Sequence, residues 1–135
     1  MINIISDCQQ IEGVKTIGII NVEGSTIARK VDFPIYIKVG REVSVAATKS
    51  MFHQMLNLIM LALEVAQVKK SAPEQLINEM SSELMTVTTK VTETIGLVQE
   101  ECDYVANLLY KKESIYLLAM RETMAIAKEA ALKIK

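Results

Sequence analysis

Between Ile77 and Leu109 the residues Ile77, Met80, Leu84, Val87, Val91, Ile95, Val98, Cys102, Val105 and Leu109 recur every three or four positions. That interval lays one apolar stripe along an α-helix and does not suit a strand, whose side chains change face at every residue. Such a stripe must be covered by its own domain or by a partner helix. Ser71-Ala-Pro73-Glu74 marks its start, with proline in the first turn and an acid beside it. The threonines at 86, 88, 89, 92 and 94, together with Gly96, weaken helix propensity, so a break or kink is expected near residues 89–98.

A second helical pattern runs from Thr48 to about Val68. Met51, Phe52, Met55, Leu56, Ile59, Met60, Leu63 and Ala66 form a wide stripe, and Leu58, Leu61 and Ala62 extend it nearly all round. A helix apolar on every side belongs inside a molecule. Its longest apolar stretch, Leu58 to Ala66, is interrupted by Glu64 and is too short to span a bilayer, so no membrane role is expected.

Around these helices lie short β-branched runs. Thr16 to Ile20, between Gly13 and the Asn21–Gly24 turn, reads as a strand buried on both faces. Ser25 caps a short helix through Arg29, and Pro34 to Val39 reads as a second strand ended by Gly40. Ser114 to Ala119 reads as a third strand, and Glu122 to Ile134 as a helix with Met124, Ala127, Ala131 and Ile134 on one face. Residues 2–11 suit a short helix or a frayed lead-in. The order implies an α/β fold: a partial parallel three-layer arrangement with a sheet of about three strands and long connecting helices.

Composition narrows the function. At 135 residues the chain is at most one ordinary domain, and a hydrophobic content of 50% with a mean hydropathy of +0.25 argues against disorder. A net charge of -1 with no basic stripe argues against nucleic acid as a partner. Cys8 and Cys102 are far apart and in no CxxC pattern, as expected for reduced thiols in the cytoplasm. His53 is the sole histidine, so neither a zinc site nor another cofactor is expected. The N-terminal MINIISDCQQ lacks the basic and apolar regions of a signal peptide.

The stretch from Arg41 to Met51, REVSVAATKSM, joins the second strand to the apolar helix. Small and hydroxyl residues there serve either as a helix cap, through Ser44 or Thr48, or as an anion cradle on the unpaired N–H groups of the first turn.

Glu42-Val-Ser-Val-Ala-Ala-Thr-Lys49 resembles the E-I-G-V-A-S-T-K motif of the sugar isomerase (SIS) domains of glutamine:fructose-6-phosphate amidotransferases. Lys15 to Arg29 is similar to that family's strand and turn around N-x-x-G-S-S-x-x-R-E, and Glu129-Ala-Ala-Leu-Lys-Ile-Lys135 to its E-G-A-L-K-L-K-E. The motifs come in order, with matching gaps. Ala47 stands where the family motif has serine, and Ala119 and Arg121 stand where a later L-G-R-G loop has glycines.

The resemblance implies a middle segment of a larger enzyme. Residues 1–68 would be the C-terminal part of a first SIS half, 69–111 a helical connector and 112–135 the start of a second half. It implies backbone contacts to sugar at Val45 and Ala46, with Ala47, Thr48 and Lys49 beside them. Lys133 matches the lysine just before the family's catalytic glutamate, which would fall one position past Lys135. Its structural role would be to pair with Glu129 at i,i+4 and with the helix dipole. The family's S-x-S-G-E-T phosphate loop and the histidine of its L-K-H-G segment do not occur in the sequence, and Cys8 is not the nucleophile of its amidotransferase domain. Isomerisation needs a base between C1 and C2 and donors for the phosphate. The expectation is therefore weak phosphosugar binding without turnover. The alternative is a non-catalytic helical interaction protein, and a homo-oligomer is expected under either view.

Overall fold

The computed structural model describes residues 1–43 and 46–135, in two compact units, Met1–Ser81 and Ser82–Lys135. The first unit contains the sheet. Helix α1 (Ile2–Gln9) leads through a turn at Gly13 into β1 (Ile17–Ile20). Helix α2 (Thr26–Lys30) then returns the chain to β2 (Phe33–Tyr36), which pairs with β1 in parallel, Ile17 opposite Phe33 and Ile20 opposite Tyr36. Parallel neighbours need such a crossover, since a tight hairpin only joins antiparallel strands. Ser25 caps α2 as expected, its Oγ accepting from the Ala28 N–H at 3.2 Å.

The core is small: Ile5 of α1, Ile20 of β1, Ala28 of α2, Ile37 just beyond β2, and Ile77. Along β1 only Gly18 and Ile20 are buried, and Ile17 is exposed. This corrects the expectation of a strand covered on both faces: two strands and the helices beside them close one side well and the other incompletely. Gly18 sits where a Cβ would come within 2.9 Å of the Ile20 side chain and 3.1 Å of Val31, so the crossover packs directly on the strand backbone.

Helix α3 (Lys49–Lys69) packs on β1, and Gln54 Nε2 donates to the Ile19 carbonyl at 3.4 Å. No α3 residue is buried, which corrects the expectation of an internal helix. The physical reason is a shortage of cover: the first unit offers α3 one strand to lie on, while its apolar surface runs nearly all round. By length and composition α3 as a whole is long and apolar enough to cross a membrane, which the stretch Leu58–Ala66 alone is too short to do. His53, Gln54, Asn57, Glu64 and Gln67 interrupt that apolar surface. Lys70, with φ +51, ends the helix, and the Ser71 N–H closes onto the Ala66 carbonyl at 3.0 Å.

Helix α4 (Glu74–Leu109) starts after Pro73 and continues unbroken to Leu109. The expected break at 89–98 does not occur. Thr86, Thr92 and Thr94 donate their hydroxyls to the Glu83, Thr88 and Lys90 carbonyls at 2.9, 3.0 and 2.7 Å, which settles each side chain on its own helix. The propensity penalty, some tenths of a kcal/mol per threonine and about 1 for Gly96, then weakens the helix without dividing it.

In the second unit the end of α4 is followed by residues 114–120, which form no strand, and by α5 (Thr123–Ile134). The expected third strand is therefore corrected. A strand is stabilised by the ladder to a neighbour, and among the described residues the sheet contains only β1 and β2. Tyr116 and Leu118 are almost fully exposed, at 88% and 95%. The chain is mostly helical with a small parallel sheet, a composition that fits the α/β class.

Candidate functional site

In open α/β sheets the chain leaves the carboxyl ends of the strands in loops that face a crevice. Here that end is formed by residues 21–24 after β1, residues 37–43 after β2 and the start of α3. They border a cavity of about 750 Å³ lined by Asn21, Glu23, Lys38, Arg41, Glu42, Ser50 and Gln54, among others.

Asn21 organises the first part of this end. Its Nδ2 donates to the Gly40 carbonyl at 2.7 Å, and its Oδ1 accepts from the Val39 N–H at 3.1 Å. One amide thereby fixes the exit of β2 beside the exit of β1. Gly40 has φ +74, a conformation that suits glycine and turns the chain toward α3. Lys38 lies across from Glu23 at 3.9 Å, both exposed.

Glu42 organises the second part. Its Oε1 accepts from the backbone N–H of Thr48 at 2.7 Å and of Lys49 at 2.8 Å, and from the Thr48 hydroxyl at 3.4 Å. Its Oε2 accepts from the Ser50 hydroxyl. The Ser50 hydroxyl and the Thr48 backbone N–H bring the Glu42 carboxyl down from 4.5 to about 2, because each bond favours the charged form. The cap of α3 is therefore Glu42. Thr48 makes no side-chain cap bond, which corrects one of the two expected caps; Ser44, the other, lies outside the described residues. The carboxylate occupies the place where an anion is favoured, facing the unpaired N–H groups and positive pole of a helix.

Of the residues singled out from sequence, Ala46, Ala47, Thr48 and Lys49 come together at the start of α3, and Val45 lies outside the described residues. Lys49 Nζ donates to the Arg41 carbonyl at 3.3 Å, tying the two ends of the junction. Lys133 belongs to the second unit, where it pairs with Glu129 one turn earlier on α5. Glu42 and Asn21 were missed as organising residues. Glu42 had a readable signal, an acid seven residues before the first residue of α3, whereas the pair of hydrogen bonds made by Asn21 depends on tertiary placement. Among the described residues no group of three or more His, Cys, Asp or Glu side chains converges to hold a metal. What the arrangement offers is hydrogen-bond donors and acceptors around a cavity.

Comparison with known proteins gives the class. Residues 9–64, which run from the end of α1 through both strands into α3, match the SIS domain family. More particularly, the chain is 31% identical over 123 residues to the glutamine–fructose-6-phosphate aminotransferase (isomerizing) of Clostridium acetobutylicum, covering 91% of this chain and 20% of that protein. It is 34% identical over 126 residues to the enzyme of the same name from Thermococcus kodakarensis, again covering 91% of this chain and 20% of the relative. Among solved structures, the C-terminal domain of glucosamine-fructose-6-phosphate aminotransferase from Francisella tularensis matches with a TM-score of 0.89 at 27% identity, over 98% of this chain and 37% of that one. The chain thus spans about a fifth of the length of the curated relatives it matches.

Proposed function

We propose that this chain is part of the phosphosugar-binding isomerase region of a glutamine–fructose-6-phosphate aminotransferase, and that the 135 residues alone bind a hexose phosphate weakly without converting it. The observation that carries the reading is the structural likeness over 98% of the chain to a domain of that name. In this reading residues 1–68 end one SIS half, 69–111 connect, and 112–135 begin the next. The Val45–Lys49 segment of the first half then supplies substrate contacts, and Lys133 has its catalytic place in the second half. A cytoplasmic location goes with a charged sugar phosphate, which does not cross a bilayer unaided.

Absence of turnover is supported by the state of the carboxylates at the sheet's carboxyl end. Glu42 is engaged by donors from Thr48, Lys49 and Ser50, and Glu23 lies by Lys38. A general base must be within reach of the proton it takes and must have a pKa near the working pH. Glu42, held near 2, is far too weak a base. The test is titration calorimetry with fructose 6-phosphate and glucosamine 6-phosphate, inorganic phosphate as control, and an isomerisation assay on the same sample. The expected result is a dissociation constant of about 1–10 mM, no more than about 4 kcal/mol of binding, and no turnover. Measurable isomerisation by the purified chain would overturn the second half of the proposal.

A second reading, assembly, is favoured by one observation: at least half of the apolar stripe of α4 is open. Met80, Val91, Ile95, Val98 and Val105 are all exposed. Contiguous apolar surface of this kind marks association. Light scattering is expected to give at least a dimer, and a monomeric mass at high concentration would remove this reading.

A further inference from the structure

The first turn of α3 poses a local problem. Its N–H groups have no partner within the helix, and its cap residue Thr48 offers no side-chain bond. The chain solves it from a distance. Glu42 reaches across the intervening residues and gathers the Thr48 and Lys49 N–H groups on one oxygen and the Ser50 hydroxyl on the other. Asn21 holds the preceding residues, Val39 and Gly40, from the other side. The segment from β2 to α3 is thus pinned at both ends by side chains, with the cavity of about 750 Å³ beside it.

We infer that Glu42 is a positioning residue: as a charged clasp it fixes the backbone at residues 46–50 and so sets how well this segment can meet a phosphosugar, acting through Thr48, Lys49 and Ser50. The inference rests on the proposed function for its ligand, but the clasp itself is independent of any ligand. Bonds to a charged acceptor are stronger than neutral ones, so charge, and not only shape, is required. Glutamine at this position has the same size, keeps an oxygen for Thr48 and Lys49, and loses the second acceptor that Ser50 uses.

The experiment is amide hydrogen exchange on the full chain, wild type against Glu42→Ala and Glu42→Gln, followed by calorimetry with glucosamine 6-phosphate. The amides of Phe33 and Ile37, bonded to the Thr16 and Ile20 carbonyls at 3.0 Å, report whether the sheet is intact. In Glu42→Ala the Thr48 and Lys49 amides are expected to exchange at least about tenfold faster while Phe33 and Ile37 are unchanged, with Glu42→Gln between the two. Affinity for glucosamine 6-phosphate is expected to fall about fivefold or more in Glu42→Ala through lost preorganisation. Unchanged protection at Thr48 and Lys49 in Glu42→Ala, or full protection in Glu42→Gln, overturns the charged clasp. Lost protection with unchanged affinity overturns its role in binding. If the wild-type chain binds neither phosphosugar, the functional reading falls, and the exchange pattern still decides the clasp.

Discussion

The two ends of the small sheet are closed by the same chemistry put to different uses. At the amino end, Asp32 Oδ2 accepts from the Thr16 N–H at 2.9 Å and from the Thr16 hydroxyl at 2.7 Å, and that hydroxyl accepts from the Asp32 N–H at 3.0 Å. The knot joins the residues just before β1 and β2. At the carboxyl end, Glu42 ties a loop to a helix and Asn21 ties two loops together, around a cavity. Both carboxyls are held below their ordinary range, Asp32 chiefly by the Thr16 hydroxyl and Glu42 chiefly by that of Ser50. The comparison teaches that a lowered carboxylate pKa marks a structural tie here as readily as a reactive group. What distinguishes the ends is what each tie joins: two strand starts at the amino end, a loop and a helix start at the carboxyl end.

The sharpest way to break the comparison is to remove what both ends share. Ile20 is buried at the end of β1, between the two ties. Ile20→Ala is expected to cost about 2–5 kcal/mol, a large part of what a core this small supplies. Urea unfolding followed at the Phe33 and Ile37 amides should show both ends loosening together. If only one end responds, the sheet is not one cooperative unit.

Asn21→Ala tests the carboxyl end alone. It removes one bond to Gly40 and one from Val39, at about 1 kcal/mol each, so the expected loss is about 1–2 kcal/mol. Faster exchange should appear at Val39 and not at Thr16. Equal loosening at Thr16 would mean that the ends are coupled.

Part of this was legible before any coordinates. The Ser25 cap, the parallel pair, the start of α4 at Pro73 and the Lys133–Glu129 pair follow from local rules of spacing and capping. The misses share a cause: each depended on what lies alongside. The apolar girth of α3 predicted burial, but burial needs neighbours, and the first unit provides β1. Ile115 to Leu118 has strand chemistry without a strand to pair with. The threonines of α4 looked like a break because propensity was counted without the carbonyls that receive their hydroxyls. At the candidate site, the motif located the junction, while the choice of Glu42 over Thr48 as cap was a matter of three-dimensional reach.

Acid sharpens the comparison further, with a smaller effect. Both native pKa values are depressed, so each tie contributes fully above the ordinary carboxylate range and is lost as pH falls through its own native value. For Glu42 the window runs from 4.5 down to about 2. The surrounding charges are Arg41 and Lys49 at the junction and Lys38 and Glu23 on the cavity wall. Wild type is therefore expected to lose urea resistance progressively below about pH 4.5. Glu42→Gln should flatten that slope at the Thr48 and Lys49 amides while leaving it at Thr16, where Asp32 still titrates. An unaltered slope at Thr48 would show that the carboxyl-end tie does not depend on ionisation.

The smallest effect belongs to Lys15. It lies 3.6 Å from the Asp32 carboxylate, yet its side chain is 68% exposed. A solvated lysine gains little from such a contact, because water and salt screen it and holding the chain in place costs entropy. The weight of the amino-end knot therefore rests on Thr16, whose N–H and hydroxyl meet Asp32 directly. Lys15→Ala is expected to shift the melting temperature by no more than about 1–2 °C at low salt, and by nothing measurable at high salt. Thr16→Val, which keeps the shape and removes the hydroxyl, should lower it several times more. A larger effect from Lys15 than from Thr16 would make the amino end an electrostatic contact instead of a hydrogen-bonded knot, and the likeness between the two ends would fail there.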